Sequence, residues 1–187
     1  MTTGIRVIIT KAGDVSAITT EPMHAVEPDE GEVRLKVAYA GINFADLLMR
    51  LGFYQPRPPF PFTPGYEVSG VVDALGKGVT GLEVGQRVVA AMRTGGQASF
   101  VNAPVDRVIP LPDGFSLQKA AATPVTYMTA HHMLHHLGHL QPDDKVLIHG
   151  GAGGVGTAAL QLCKWAGVSK VWATSSKSKH GSIERYG

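Results

Sequence analysis

Gly151, Gly153 and Gly156 fall at the spacing G-x-G-x-x-G, where each glycine answers a different steric demand. The first permits a tight turn, the second lets backbone approach a pyrophosphate, and the third lets a helix sit close on a strand. Before them, Val146, Leu147 and Ile148 make a short apolar run with β-branched members, as a buried parallel strand does. After them, Val155, Ala158, Ala159, Leu162 and Cys163 recur at i, i+3, i+4, i+7 and i+8, which is one buried helical face. Gly167 ends that helix, and Lys170 to Thr174 supplies a second strand. Asp144 to Ser176 therefore reads as strand, turn, helix and strand closed around a phosphate. Gly151, Ala152, Gly153, Gly154, Val155 and Gly156 are its candidate cofactor contacts.

Folds selective for NAD place an Asp or Glu about 20 residues beyond the glycines, to accept from the ribose 2′-hydroxyl. Here that region holds Ser175 and Ser176, then Lys177 and Lys179. Hydroxyl and ammonium groups donate to a 2′-phosphate, so NADPH is the expected cofactor, with Ser175, Ser176 and Lys179 as contacts. The plainer alternative for these residues is a solvated basic helix start.

His131, His132, His135, His136 and His139 include two i, i+4 pairs, the spacing of metal ligands on a helix. The pairs point to different sides, and no zincin-type glutamate accompanies them. A surface or interface helix is favoured, compatible with adventitious nickel or zinc binding, and no metal site is expected. His149, just before the glycines, is expected to satisfy a backbone group. Cys163, the single cysteine, excludes an internal disulfide and a thiolate-rich zinc site, and lies on the buried helical face.

The elements that would position these residues follow from periodicity. The chain has 187 residues, 44% hydrophobic and 17% charged, with formal net charge +2, which suits one large or two small globular domains and makes no case for nucleic acid. No apolar run reaches transmembrane length, and the N-terminus lacks the order of a signal peptide, so the cytoplasm is the default. Strand signals cover Ile5 to Thr10, Glu32 to Ala40, Glu67 to Leu75, Arg87 to Met92 and Gln97 to Asn102. They suggest a small, partly open β-barrel, interrupted by a helix over Phe44 to Leu51 and a stiff proline-rich loop from Gln55 to Pro64. Ser116 caps a short helix through Ala122, and Thr126 to Leu137 reads as a second helix ended by Gly138. The domain boundary falls near Thr123 to Thr129, giving domains over 1–125 and 126–187.

Taken together, Gly41-Ile-Asn-Phe-Ala-Asp46, Arg50-Leu-Gly-Phe-Tyr54, Pro64-Gly-Tyr-Glu67 with Gly70, and His149 to Gly156 resemble the zinc-independent quinone oxidoreductase branch of the medium-chain dehydrogenase/reductase superfamily. The subgroup most resembled is the vesicle amine transport protein-like one. The resemblance implies an α/β protein with a β-rich domain: a GroES-like, partly open β-barrel, then the first part of a Rossmann fold, with substrate and nicotinamide meeting in the cleft between. Zinc-dependent relatives hold their metal with a cysteine and a histidine, where this chain has Asn43 and Tyr66, so no catalytic zinc is implied. By the same analogy Asn43 and Tyr54 are catalytic and substrate residues. Asn43 would donate to the substrate oxygen, and Tyr54 is either a donor or an aromatic wall. Thr63 contacts substrate or serves the turn, Thr129 lies near the nicotinamide, and Asp46 fixes the loop or caps the helix.

The implied activity is NADPH-dependent hydride transfer to a quinone or an α,β-unsaturated carbonyl. The rivals are a nucleotide-binding or membrane-associated regulator without catalysis, and an inactive fragment. Mild departures are Gln86, where the family usually has Asp, and Gly150-Gly151 in place of alanines. The resemblance implies that relatives run on for a further half of the protein, adding the remaining Rossmann strands and a return to the barrel, so a fragment or truncated form is expected, with homodimerisation a property of the full-length protein.

Overall fold

The computed structural model describes residues 2–55 and 58–186. Pro56 and Arg57, inside the loop read over Gln55 to Pro64, lie outside the described residues. The chain divides into two compact units, the first ending at Pro124 and the second beginning at Val125.

In the first unit, β1 (Thr3–Ile9) and β2 (Ile18–His24) pair antiparallel as a separate two-stranded ribbon. A five-stranded curled sheet is built from β3 (Glu32–Ala40), β4 (Glu67–Leu75), β5 (Arg87–Ala91), β6 (Phe100–Pro104) and β7 (Val108–Pro110). Its strand order is β6-β3-β4-β5-β7, and every pairing is antiparallel. The alternation in β3 sets the inner face: Val33 and Leu35 are fully buried there, against Val68, Val72 and Val88. Burying each such side chain stabilises by about 1.5–3 kcal/mol. Tyr39 continues the same alternation but is 47% exposed, because the register with β4 shifts between Val37 and Tyr39.

Helix α1 (Phe44–Leu51) leaves the end of β3 and closes on Gly52, whose φ of 83° is the left-handed C-terminal geometry that glycine adopts freely. Met49 of α1 packs with Ile9 and Phe62 in a smaller core. Helix α2 (Leu117–Ala120) opens on Ser116, whose hydroxyl accepts the Lys119 N–H. Two strands escaped the periodicity argument. β2 has no buried residue and contains Glu21 and Pro22, the composition of an edge strand, and β7 is three residues long.

Helix α3 (Pro124–His131) begins on the last residue of the first unit and runs into the second, where it passes into a π-helical segment over His132–Leu137 rather than continuing as one regular helix. The Gly138 N–H donates to the Met133 carbonyl five residues back, at 2.9 Å. Then come β8 (Lys145–Ile148), α4 (Gly154–Trp165) and β9 (Lys170–Ala173), with β8 and β9 parallel and in register from Lys145↔Lys170 to Ile148↔Ala173. This β-α-β unit packs Ile148, Ala158, Ala159, Leu160 and Cys163 into one core. The thiol of Cys163 is fully buried, and burial pushes its pKa up, which suits a core residue and not a nucleophile.

Candidate functional site

Asn43 stands at the mouth of α1 with extended backbone, φ −113° and ψ 159°. Three residues on, Asp46 reaches back, and its Oδ2 accepts the Asn43 N–H at 2.9 Å. Its Oδ1 accepts the Gly65 N–H at 3.0 Å, which ties the start of α1 to the turn before β4. Asp46 is 5% exposed. Burial pushes its carboxyl above the ordinary 3.8, against the two N–H bonds that pull it down. The Asn43 amide is itself held, because Nδ2 donates to Glu67 Oε1 at 2.8 Å.

Glu67 opens β4 with 2% exposure and is a member of this network that sequence reasoning missed. Its one signal was a carboxylate placed directly before the buried run Val68, Ser69 and Gly70. The Glu67 carboxyl occupies the space a side chain at position 41 would need. A Cβ on Gly41 would collide with Glu67 Oε1 and lie 2.7 Å from the Ala121 carbonyl oxygen.

Tyr54 is half-buried, and its ring meets Tyr66 edge-to-face with centroids 6.4 Å apart. The Tyr66 hydroxyl donates to Met49 Sδ at 3.6 Å. Burial first, and Tyr54 beside it second, push the Tyr66 phenol up to about 12. The Thr63 carbonyl accepts from Thr94 Oγ1 at 2.5 Å and from the Gly95 N–H at 2.8 Å. Thr129 is exposed on α3.

In the second unit the glycine turn runs from the end of β8 into α4. Gly150 has φ 69°, a conformation costly for any side-chain-bearing residue. A Cβ on Gly156 would collide with the Gly150 carbonyl oxygen and lie 2.7 Å from Gly151 Cα. Gly156 is therefore where helix and turn touch backbone to backbone. The N–H groups of Gly154, Val155 and Gly156 open α4, one turn too early to have acceptors inside the helix. A pocket of about 590 Å³ lies over this turn, lined among others by Ile148, His149, Gly150, Gly153, Val155 and Gly156.

Thr174, also missed, stitches the turn to the end of β9. Its N–H donates to the Ile148 carbonyl at 2.9 Å, its carbonyl accepts the Gly151 N–H at 2.9 Å, and its hydroxyl accepts the Gly150 N–H at 3.2 Å. His149 Nδ1 meets that same hydroxyl at 3.3 Å, so its partner is a side chain and not the backbone group expected for it. Because Thr174 is anchored there, Ser175, Ser176 and Lys179 follow directly from the rim of the turn. Ser175 Oγ donates to the Ser176 carbonyl at 3.2 Å, and Lys179 is exposed.

Residues 29–113 match the alcohol dehydrogenase GroES-like domain. Over 157 residues the chain is 45% identical to the synaptic vesicle membrane protein VAT-1 homolog of Danio rerio, a match that spans 84% of this chain and 32% of that protein. The crystal structure of the human VAT-1 homolog-like protein superposes with a TM-score of 0.94 at 36% identity, covering 99% of this chain and 60% of that one. The Escherichia coli quinone oxidoreductase solved with NADPH gives 0.90 at 31% identity, over 98% of this chain and 56% of that one. The chain belongs to the medium-chain dehydrogenase/reductase superfamily. Within the superfamily it falls with the VAT-1-like proteins, and it spans about a third of the curated relative and under two thirds of the solved ones. The β-α-β unit and the curled antiparallel sheet are the parts of a medium-chain dehydrogenase/reductase that this chain supplies.

Proposed function

We propose that the chain is part of an NADPH-dependent oxidoreductase that reduces a quinone or an α,β-unsaturated carbonyl without a catalytic zinc. The observation that carries this reading is the turn at Gly150–Gly156. Its backbone contact at Gly156 leaves no room for a Cβ, and three helix-opening N–H groups face outward for a diphosphate. Those groups fit the cofactor: Gly154, Val155 and Gly156 would hold the diphosphate, Ser175, Ser176 and Lys179 the 2′-phosphate, and Thr129 the nicotinamide end. When bound, NADPH supplies the hydride that the electrophilic carbon takes up.

The protein's own part is to position and to stabilise charge. One N–H of the Asn43 amide is fixed by Glu67, which leaves the other to donate to the substrate oxygen as negative charge grows there. Tyr54 lines the site and offers its hydroxyl to the same oxygen, and Thr63 borders it. At the positions where zinc-dependent relatives carry thiolate and imidazole, this chain has a neutral amide and a phenol that stays protonated, donors that do not suit zinc. The test is NADPH titration followed by absorbance loss at the nicotinamide band with a quinone and an enone. Saturable NADPH binding that is tighter than NADH binding, with turnover of either acceptor, is the expected result. A second reading is non-catalytic nucleotide binding. It has support in the VAT-1 relatives, which are named synaptic vesicle membrane proteins, and NADPH binding with no turnover by any acceptor would favour it.

A further inference from the structure

The histidines of α3 and its π-helical continuation stand apart from every group used above. In a regular α-helix His131 and His136 would point about 140° apart, since each residue turns the chain by about 100°. The π-helical segment over His132–Leu137 reaches one residue further per turn, and it brings the two rings to 6.1 Å between centroids. His132 and His136, four residues apart, stand closer, at 5.3 Å with their planes tilted by 33°. His131, His132 and His136 are all exposed and line one surface pocket of about 440 Å³, with Tyr127, Met128 and Leu162.

The spacing selects among the pairs. A zinc–nitrogen bond is about 2.0–2.1 Å, so two imidazole centres on one tetrahedral ion stand about 5 Å apart. The His132–His136 separation meets that requirement, and the 6.1 Å between His131 and His136 is too wide. His131 and His135 are close at 4.6 Å, but His135 Nε2 is buried and so closed to an ion arriving from solvent. Among the described residues no three His, Cys, Asp or Glu side chains form a group that could hold a metal, so an ion here would take two protein ligands, with water completing its shell.

We propose that His132 and His136 form an exchangeable surface site for a zinc-class divalent ion, bound through two imidazole nitrogens. The site is independent of the oxidoreductase reading, because no residue is shared with it. The experiment is calorimetric titration of the untagged full chain with Zn²⁺ alone, and with Mg²⁺ as the hard, oxygen-seeking control. The expected result is one saturable Zn²⁺ per chain and none for Mg²⁺. His136→Ala or His132→Ala should weaken Zn²⁺ binding by about tenfold or more, because even losing the outer-shell partner of a ligand costs about that much. His139→Ala and His149→Ala should leave it unchanged. In the unsubstituted chain, side-chain ¹⁵N resonances of His132 and His136 should shift on Zn²⁺ addition while that of His24 does not, a readout that needs no variant to fold. Absence of saturable binding, equal binding after His132→Ala/His136→Ala, or resonance shifts confined to other histidines would each overturn the proposal.

Discussion

Asn43 alone could rotate its amide either way, and what removes that freedom is the buried Glu67 carboxyl accepting from Nδ2. Replacing Glu67 with Ala should leave that N–H without its buried acceptor and lower stability by about 1–3 kcal/mol, read from the urea midpoint. Glu67→Gln keeps an acceptor oxygen and should recover most of the loss; if Gln is as damaging as Ala, this hydrogen bond is not what the carboxyl contributes. Asp46 gives a prediction with a sign. Its folded-state pKa is raised, so the native state holds the proton more tightly than the unfolded chain does between the ordinary 3.8 and the raised value. The Asp46 contribution is therefore least favourable above the raised pKa and improves as pH falls towards 3.8. Asp46→Asn does not titrate there, and it leaves one of the Asn43 and Gly65 N–H groups without an acceptor. It should cost about 1–3 kcal/mol, and the gap to the natural chain should widen on acidification, measured as urea midpoints at a series of pH values.

Among the elements, the glycine turn carries the sharpest test, because two effects oppose there. Alanine at 156 would favour helix α4 intrinsically by about 1 kcal/mol, yet its Cβ would meet the Gly150 carbonyl oxygen and Gly151 Cα, backbone that cannot rotate away. Sterics should win: Gly156→Ala is expected to lower the thermal midpoint and abolish saturable NADPH binding, whereas Gly181→Ala, with nothing within 4 Å of its Cβ, should do neither. That turn was legible in the sequence because its steric demands are local and written in glycine spacing. So were β3, β4 and α1, whose apolar patterns lie within their own spans and, for α1, whose caps Asn43 and Gly52 sit directly beside it. β2 and the π-helical segment were not. The first is held by ladder bonds to β1 that leave no apolar pattern, and the second depends on a hydrogen-bond shift that residue types do not signal. Glu67 and Thr174 were invisible for the same reason: their importance lies in partners 23 residues away or more, across a fold that a linear pattern does not display.

For the molecule as a whole, the division at Pro124 and Val125 gives each unit a separate hydrophobic core, and the proposed nucleotide contacts other than Thr129 cluster on the glycine turn and the segment after β9. Among the described residues no helix is long and apolar enough to cross a membrane. A ligand that binds only the native state stabilises by about 2.7 kcal/mol at a hundred times its Kd. NADPH at that excess should raise the thermal midpoint, and NADH at equal concentration should raise it less. Hydrogen exchange should slow first at residues 150–157 and 174–179, because those amides carry or neighbour the proposed phosphate contacts. Lys179→Glu places a carboxylate where the 2′-phosphate would sit and should remove the preference for NADPH while sparing NADH. If the midpoint shifts equally with both nucleotides, and Lys179→Glu changes neither, the phosphate is not read by the segment after β9, and the assignment of NADPH over NADH fails even where the glycine turn binds.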